Sequence, residues 1–579
     1  MAPGALLATA ADADVIPLPE VHIPSLSDAP TTDAGGYTIP DTLLGAPRGI
    51  KLLVIGFGAA GINIAHVLGK PDNGIEVVCY EKNTVLGGTW YENVYPGCAC
   101  DIPSVNYQYT WHPKPDWSSY YATSPEILGY FQDVVEKHDL TKFARLNHRV
   151  IGAWWNEVDG KWKIKVQRGD DPNDVFEDTG DVLINATGVL NNWKWPEVSG
   201  VEKFPVKLHS AAWDSSVDLK DKTVGIIGNG SSAVQIIPSI FPNIKKLKSF
   251  MRSSTWITAG FAQKYAGPNG ANFQYSEEQK KQFREDPAAY LHYRKLVEAE
   301  LNQRFKFIIN GTPEQQEALD FARKEMARKL NGRQDLIDKM VPKNYAVGCR
   351  RPTPGNGYLE CITDEEKCEV NFAGIQEINE RGLITCDGKQ HDFDVLICAT
   401  GFDVSFRPRY PIVGAAGVSM SEKWKESPET YLSLTAPHFP NYFMINGPFG
   451  PYGHGSILPV IEMITRYIEK TLFKMQTEDI KSFVPKQAAV NDFKRHRELF
   501  LQRTAWSSPC RSWFKGGKAY GPILMWPGSR LHFFQALQRP RWEDYEWECR
   551  EQSRFSYFGN GFCTREFDGG DVTWYIDGI

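Results

Sequence analysis

The chain has 579 residues, of which 42% are hydrophobic and 12% aromatic, so it is long enough to bury several hydrophobic cores. Its formal net charge of -6 leaves no surplus of basic residues to neutralise a phosphate backbone, so we do not expect a nucleic-acid partner. The 11 cysteines have no framework spacing, and we therefore expect free thiols in a reducing compartment rather than disulfide bonds.

The first residues show no targeting pattern. The opening stretch lacks a positively charged region, and Asp12 and Asp14 interrupt its apolar run. No stretch of the sequence approaches the ~18 consecutive apolar residues of a transmembrane helix. We therefore expect a cytoplasmic protein without a membrane span. Residues 1–47 are rich in Pro, Asp, Ser and Thr and are predicted to form an N-terminal arm.

Regular structure is first predicted at residues 50–55, a short apolar run that is followed by glycines. Such a run is typical of a buried parallel strand, and we expect a helix at about residues 59–68. In the loop between them, Gly56, Gly58 and Gly61 match the GxGxxG fingerprint of dinucleotide-binding loops. The three glycines permit a tight turn, a close approach of pyrophosphate to the backbone, and close packing of helix on strand.

A carboxylate stands where this fingerprint needs one. Glu81 ends a second apolar run, residues 75–80, which is predicted to form the next strand. A carboxylate at this position accepts hydrogen bonds from a ribose diol. The loop and Glu81 together predict a dinucleotide site.

A second strand, loop and helix begin at residues 223–227. The third glycine of the fingerprint is replaced by Ala233, which the fingerprint allows. The residues of this loop and helix start that we expect to contact a cofactor are Gly228, Asn229, Gly230, Ser231, Ser232, Ala233 and Val234.

The two loops differ at the matching downstream position. Here the second unit has Arg252 and Ser253 instead of an acidic residue. A guanidinium and a hydroxyl suit a 2'-phosphate, so we assign NADPH to the second loop and FAD to the first. The alternative is that Arg252 is a solvated residue at a strand end.

These units predict an α/β protein with two Rossmann-like dinucleotide-binding domains, one for FAD and one for NADPH. Between about residues 275 and 340, apolar residues at helical spacing in a charged stretch predict a helical insertion. The predicted segments are an N-terminal arm (1–47), the first part of the FAD domain (48–190), the NADPH domain with its insertion (191–384), the second part of the FAD domain (385–541) and a C-terminal extension (542–579).

Further motifs surround the loops and give the sequence from about residue 50 to 540 a family resemblance. Residues 87–91 and 95–104 look like a segment that wraps a flavin, and residues 185–188 and 399–403 look like ATG motifs that pass the chain between domains. With the loops, these motifs resemble those of the class B flavoprotein monooxygenases, and within them the Baeyer-Villiger monooxygenases.

The identifying stretch of that family, FxGxxxHxxxW followed by Pro or Asp, is matched in its second half by His209, Trp213 and Asp214. The first half departs from the pattern. Val206 stands where Gly is usual, and Phe204 lies one residue too close to the histidine. The turn before His209 can therefore differ from that of the family, and we interpret His209 as an interdomain histidine rather than a proton donor.

The resemblance implies the residues that carry the chemistry. Residues 349–360 resemble the family's Lys-Arg segment, so Arg351 is the implied catalytic residue and Arg350 the implied NADPH contact. Asp101 is implied to orient Arg351, and Trp513 to fold over the nicotinamide. The other FAD contacts implied for this chain are Thr89, Trp90, Tyr91, Glu92, Asp101, Ile102 and Tyr107.

The resemblance implies that NADPH reduces FAD, that O2 then forms a flavin peroxide, and that the peroxide attacks a small-molecule ketone or aldehyde to give an ester or lactone. No metal is expected. A fixed cation near the flavin would stabilise the developing oxyanion. The resemblance is to fungal secondary-metabolism members. The alternatives are an N- or S-oxidising flavin monooxygenase and a catalytically inactive dinucleotide-binding protein, and the sequence leaves the oligomeric state open.

Overall fold

The computed structural model describes residues 31–355 and 357–576, so much of the predicted N-terminal arm lies outside the described residues. The chain forms two compact units. One comprises residues 47–550, and the other joins the segment before residue 47 to the segment after residue 550.

The first parallel sheet of the larger unit contains the first predicted strand. The apolar run forms the strand Ile50–Ile55, and its side chains from Leu52 to Val54 are completely buried. The predicted helix is Ala59–Leu68, so both predictions are confirmed. The strand order across this sheet is Tyr442–Met444, Val182–Asn185, Ile50–Ile55, Ile75–Tyr80 and Ala144–Arg145.

The second parallel sheet repeats this arrangement. The predicted strand is Thr223–Ile227, and the helix Ser231–Ile240 follows it. The strand order is Cys368–Asn371, Lys246–Phe250, Thr223–Ile227, Val395–Cys398 and Lys207–His209. Two parallel sheets, each with a glycine loop and a helix after a central strand, confirm the predicted α/β fold with two Rossmann-like domains.

Smaller sheets complete the larger unit. One has four strands, Ile412–Val413, His148–Asn156, Lys161–Arg168 and Val175–Gly180. Another has three strands, Ile375–Asn379, Gly382–Thr385 and Gln390–Asp392. The two-stranded pairs are Ile257–Thr258 with Thr353–Pro354, and Ile480–Pro485 with Tyr545–Cys549. The strand Tyr545–Cys549 lies in the predicted C-terminal extension, for which we had predicted no strand or helix.

Four helices occupy the stretch that the sequence marked as an insertion: Glu277–Glu285, Pro287–Gln303, Pro313–Lys329 and Gln334–Met340. Arg530, which is completely buried, holds this region to the rest of the unit through an ion pair of 2.5 Å with Glu298. The remaining α-helices of the larger unit are Thr89–Glu92, Ser124–Lys137, Tyr358–Thr363, Met420–Lys423, Leu458–Thr477, Gln487–Leu501 and Arg530–Leu537. Among the described residues, no helix combines the length and the apolar character that crossing a bilayer demands.

The smaller unit is held together by pairing between its two segments. The backbone amide of Leu44 donates to Phe562 O over 2.8 Å, and that of Asn560 donates to Thr42 O over 2.8 Å. At Gly559 the backbone φ is +60°, and an added Cβ would lie 1.9 Å from Thr42 O, so only glycine fits. Sequence reasoning did not foresee this pairing.

Candidate active site

One large cavity is lined by both the first glycine loop and Arg351. Its volume is about 820 Å3, and it lies within the larger unit. Its lining includes Gly58 and Glu81 as well as Arg351 and Trp513. The residues predicted to bind FAD that line it are Gly56, Gly58, Glu81, Thr89, Trp90, Glu92, Asp101, Ile102 and Tyr107. Gly61 and Tyr91, also predicted to bind FAD, are not part of the lining.

The first loop has the geometry that its glycines predict. Gly56 has a φ of +108°, and a Cβ there would lie 2.8 Å from Ala186 O. A Cβ on Gly61 would lie 2.2 Å from Gly56 O, so this glycine lets the helix pack against the loop. Gly58 precedes the ten-residue helix, whose N-terminus has no side-chain cap. The first-turn amides can therefore bind an anion at the cavity wall.

Glu81 fixes the loop and faces the cavity. Its Oε2 accepts a hydrogen bond of 2.8 Å from Phe57 N, and its Oε1 accepts one of 2.9 Å from Asn83 N. Burial raises the pKa of Glu81, although these two bonds act in the opposite direction. Each carboxylate oxygen has a second lone pair, so Glu81 keeps acceptor capacity for a ribose diol.

The second loop is a turn with an open side. Gly228 has a φ of +119°, and a Cβ there would lie 2.4 Å from Ala399 O. A Cβ on Gly230 would meet nothing within 4 Å, so the backbone at this position can be approached closely. Ser231 and Ser232 begin the helix, whereas Ala233 and Val234 are buried on its inner face.

Arg252 and Ser253 lie beside this loop and are exposed. The side-chain amide of Asn229 donates a hydrogen bond of 2.6 Å to Ser253 O, and Gly228 N donates one of 3.0 Å to Phe250 O. These bonds hold the loop against the end of the neighbouring strand. Arg252, between Phe250 and Ser253, is therefore an exposed residue beside this loop.

The catalytic candidates Arg351 and Asp101 form a bidentate ion pair. Arg351 Nε donates to Asp101 Oδ2 over 2.6 Å, and Nη2 donates to Oδ1 over 2.8 Å. The third nitrogen, Nη1, donates to Tyr452 O over 3.3 Å. Burial acts to lower the pKa of Arg351, but the charge and hydrogen bonds of Asp101 outweigh it and raise the pKa above the usual value. Arg351 is therefore a permanent, fixed cation in the cavity.

Arg350 points away from this pair. It interacts with the hydroxyl of Tyr345, which donates a hydrogen bond of 2.6 Å to Ser254 O. Ser254 directly follows Arg252 and Ser253 in the chain. Arg351 thus lines the cavity, whereas Arg350 lies near the segment beside the second loop.

A disulfide corrects the expectation of free thiols. Cys349 and Cys510 are bonded across a sequence separation of 161 residues, with a Cα–Cα distance of 6.3 Å. The free-thiol prediction is wrong for this pair because the fold brings together two loops that sequence spacing cannot relate. The bond connects the residue before Arg350 to the loop that carries Trp513. Trp513 lines the cavity and packs against Tyr452, with 6.0 Å between the ring centroids.

His209 lies beside the second ATG motif. Its ring is completely buried and stacks on Trp193 with 4.6 Å between the ring centroids, while Nε2 lies 3.3 Å from Thr400 Oγ1. Burial lowers the pKa of His209 to about 4. Phe204 is also buried and packs against Phe393, so the shortened first half of the family stretch still delivers an aromatic residue to the core.

Sequence reasoning missed two residues that contact Arg351. One is Tyr452, through its carbonyl oxygen, and the other is Phe261, whose ring centroid lies 4.9 Å from Arg351 Cζ. Neither belongs to a motif that we recognised, and both lie far from Arg351 in sequence.

Comparison with known proteins relates the sequence and the fold to flavoenzymes. Residues 49–320 match the family described as flavin-binding monooxygenase-like. The chain is 38% identical to the FAD-binding monooxygenase tazF of Aspergillus terreus, over 92% of this chain and 95% of that protein. It is 28% identical to a Baeyer-Villiger monooxygenase of Streptomyces coelicolor, over 86% of this chain and 92% of that protein.

Solved structures give the same relationship. The fold is similar to that of cyclohexanone monooxygenase from Rhodococcus bound to NADP+, with a TM-score of 0.74 and 25% identity, over 87% of this chain and 100% of that chain. It is also similar to OTEMO in complex with FAD and NADP, with a TM-score of 0.75 and 26% identity, over 87% of this chain and 100% of that chain.

Proposed function

We propose a reaction for this chain from the premise that it belongs to the family of flavin-dependent monooxygenases, with 38% identity to a fungal member over 92% of its length. The proposed reaction is a Baeyer-Villiger oxidation. One atom of O2 is inserted between the carbonyl carbon of a ketone or aldehyde and one substituent, which gives an ester or lactone. The other atom leaves as water, while NADPH and a proton supply the two electrons and two hydrogens.

The residues present fit both cofactors. Gly56 and Gly58 with the uncapped helix after them would hold the FAD pyrophosphate, and Glu81 would bind its ribose. Gly228 and Gly230 would hold the NADPH pyrophosphate, and Arg252 its 2'-phosphate. FAD, when bound and reduced by NADPH, supplies the activation of O2.

The ion pair of Arg351 with Asp101 is the observation that carries the proposal. Inserting oxygen beside a carbonyl places negative charge on the carbonyl oxygen as its carbon becomes tetrahedral. A cation held in the cavity by two hydrogen bonds stabilises that charge without having to reorient. Oxidation of nitrogen or sulfur develops no such oxyanion on the substrate, so the fixed arginine favours a carbonyl substrate over an amine or sulfide.

The other groups around Arg351 support this role. The carbonyl oxygen of Tyr452 accepts a hydrogen bond from the third nitrogen, which further restricts rotation of the guanidinium in its plane. Trp513 lines the same cavity, packs against Tyr452 and would cover the reacting groups against water. We further propose a secondary metabolite as the substrate, because the chain resembles fungal members of the family.

The test is a product analysis with the purified holoenzyme, NADPH and isotopically labelled O2. Cyclic, linear and polycyclic ketones and one aryl sulfide are incubated separately, and mass spectrometry measures the gain of one labelled oxygen atom. We expect an ester or lactone from at least one ketone. A sulfoxide as the only oxygenated product would contradict the proposal and indicate the S-oxidising type of chemistry.

A further inference from the structure

We propose that Phe261 is a positioning residue for Arg351, and that its ring fixes the plane of the guanidinium. Only the effect of Phe261 on the reaction rests on the proposed function, because that function assigns Arg351 its role towards the substrate. The contact between Phe261 and Arg351 is independent of the reaction. Arg351 Cζ lies 4.9 Å from the centroid of the Phe261 ring, within the distance of a cation–π interaction.

The ring supplies a constraint that the hydrogen bonds of Arg351 lack. Asp101 and the carbonyl of Tyr452 bind the guanidinium at its edges, where they fix its direction within one plane. Hydrogen bonds at the edges resist tilting of that plane only weakly. A ring placed against one face opposes the tilt through both packing and the attraction between the cation and the π electrons.

Phe261 is itself held firmly. Its side chain is 4% exposed, and its carbonyl oxygen accepts a hydrogen bond of 2.6 Å from Tyr121 Oη. The next carbonyl, that of Ala262, accepts one of 2.8 Å from Tyr120 Oη. Ala262 has a φ of +52°, a conformation that costs energy for a residue with a Cβ. The two tyrosines stabilise this turn and thereby the position of the ring.

The turn also depends on Gly260. A Cβ at this position would lie 2.1 Å from Tyr121 Oη, so a side chain there would displace the hydroxyl that binds Phe261. The absence of a side chain at Gly260 therefore lets Tyr121 Oη approach the turn this closely.

The segments of Phe261 and Arg351 are joined directly. The strand Ile257–Thr258, just before Phe261, pairs in parallel with the strand Thr353–Pro354, just after Arg351. The segment of Asp101 closes the arrangement, because Cys100 N donates a hydrogen bond of 3.0 Å to the carbonyl of Ala122, next to Tyr121. Carboxylate, guanidinium and ring thus belong to one closed set of contacts.

The first test is a double-mutant cycle on the thermodynamic stability of the FAD-bound protein. It compares the wild type, Phe261→Leu, Arg351→Met and the double variant in urea unfolding. Leucine keeps an apolar side chain but removes the ring face. We expect non-additive effects, with a coupling of about tenfold in the unfolding constant. Additive effects would overturn the proposal, whatever substrate the enzyme oxidises.

The matched control is Phe131→Leu in the same cycle with Arg351→Met. Phe131 is a completely buried ring that packs on Tyr109 and Tyr130, so its loss should lower stability without coupling to Arg351. Coupling as large as that of Phe261 would show that the cycle reports general core disruption, and it would count against the proposal.

The second test separates positioning from structure in the reaction. In Phe261→Leu we expect the KM values for NADPH and ketone to stay within about twofold, while kcat for ester formation falls about tenfold and hydrogen peroxide per NADPH rises. Phe261→Tyr, which restores the ring face, should recover the coupling of NADPH oxidation to ester. Equal losses in the Leu and Tyr variants would overturn the role of the ring. If the wild type forms no ester, the proposed function fails. The stability cycle still tests whether Phe261 and Arg351 interact.

Discussion

Asp101 accepts both the Nε and Nη2 hydrogen bonds of Arg351, although 250 residues separate them in the sequence. The carboxylate gives the arginine a fixed direction and keeps it charged in a buried setting, since burial alone would lower the pKa of Arg351. The pair holds a fixed guanidinium in the lining of a cavity that the first dinucleotide loop also lines. Substitutions of Arg351 and of Asp101 should therefore impair ester formation in different ways.

Replacing Arg351 by alanine should separate the two halves of the catalytic cycle. Transfer of hydride to FAD develops no oxyanion on a substrate, so the anaerobic reduction of bound FAD by NADPH, followed by flavin absorbance, should keep a rate near that of the wild type. Ester formation should fall by at least about 100-fold, because no cation then stabilises the developing oxyanion. Arg333→Ala, which removes a half-buried arginine paired with Asp335 and Glu365, is the matched control. Undiminished ester yield in Arg351→Ala would contradict the assigned role.

Asp101→Asn tests whether the orientation of Arg351 matters, because the positive charge of Arg351 itself is kept. The variant keeps the size of the side chain but loses one acceptor and the negative charge, so Arg351 remains present and less well fixed. We expect ester formation per NADPH to fall roughly 10- to 100-fold, as for the loss of a charge-assisted hydrogen bond. Asp116→Asn, at an exposed ion pair with Lys114, should behave like the wild type in the same assay. Equal ester yields in both variants would show that Asp101 has no orienting role.

The parts of the site that could be predicted are those encoded by local spacing. Gly56, Gly58 and Glu81 follow one another at the intervals of a strand, a loop and a second strand, and the structure brings them to one cavity. The run at residues 223–227 has no charged residue and is followed by a glycine loop, and it forms a strand that is buried from Val224 onward. Such features need no knowledge of the rest of the chain.

The contacts that sequence reasoning missed join segments remote in the chain. Nothing in the spacing of Cys349 and Cys510 indicates that their Cα atoms lie 6.3 Å apart. Phe261 reaches Arg351 through a two-stranded pairing and a turn with a positive φ at an alanine, which no propensity predicts. Tertiary structure determines these distances, and only the folded chain reveals them.

Arg252, an exposed residue beside the second loop, predicts a preference for NADPH over NADH. Arg252→Ala removes the proposed partner of the 2'-phosphate and leaves the turn at Gly228 intact. The KM for NADPH should therefore rise by roughly 10- to 100-fold. The KM for NADH, which lacks that phosphate, should change little. Steady-state oxidation of each coenzyme gives the two KM values. A parallel rise in the KM for NADPH and the KM for NADH would indicate that Arg252 acts in general binding or folding instead.

Removing the disulfide should lower stability strongly because the bond closes a loop across a separation of 161 residues. The chain-entropy relation gives roughly 5 kcal/mol for a loop of this size, as an upper estimate. The double variant Cys349→Ser with Cys510→Ser should show a clearly lower Tm in thermal unfolding. Cys386→Ser, at an exposed free thiol, is the matched control. Mass spectrometry of unreduced peptides should find Cys349 linked to Cys510, and unlinked peptides would contradict the bond.

His209 should make stability depend on pH in the acid range. Burial lowers its pKa to about 4 from 6.5, so between these values the unfolded chain binds a proton that the folded chain does not. The free energy of unfolding therefore rises with pH across this window, and the contribution of His209 is lost as pH falls from 6.5 towards 4. His209→Gln removes this titration. As pH falls, the Tm of the wild type, measured with excess FAD, should therefore decrease more than the Tm of His209→Gln. His292→Gln, at an exposed histidine, is the control, and a difference that does not vary with pH would show that His209 is not held neutral in the folded protein.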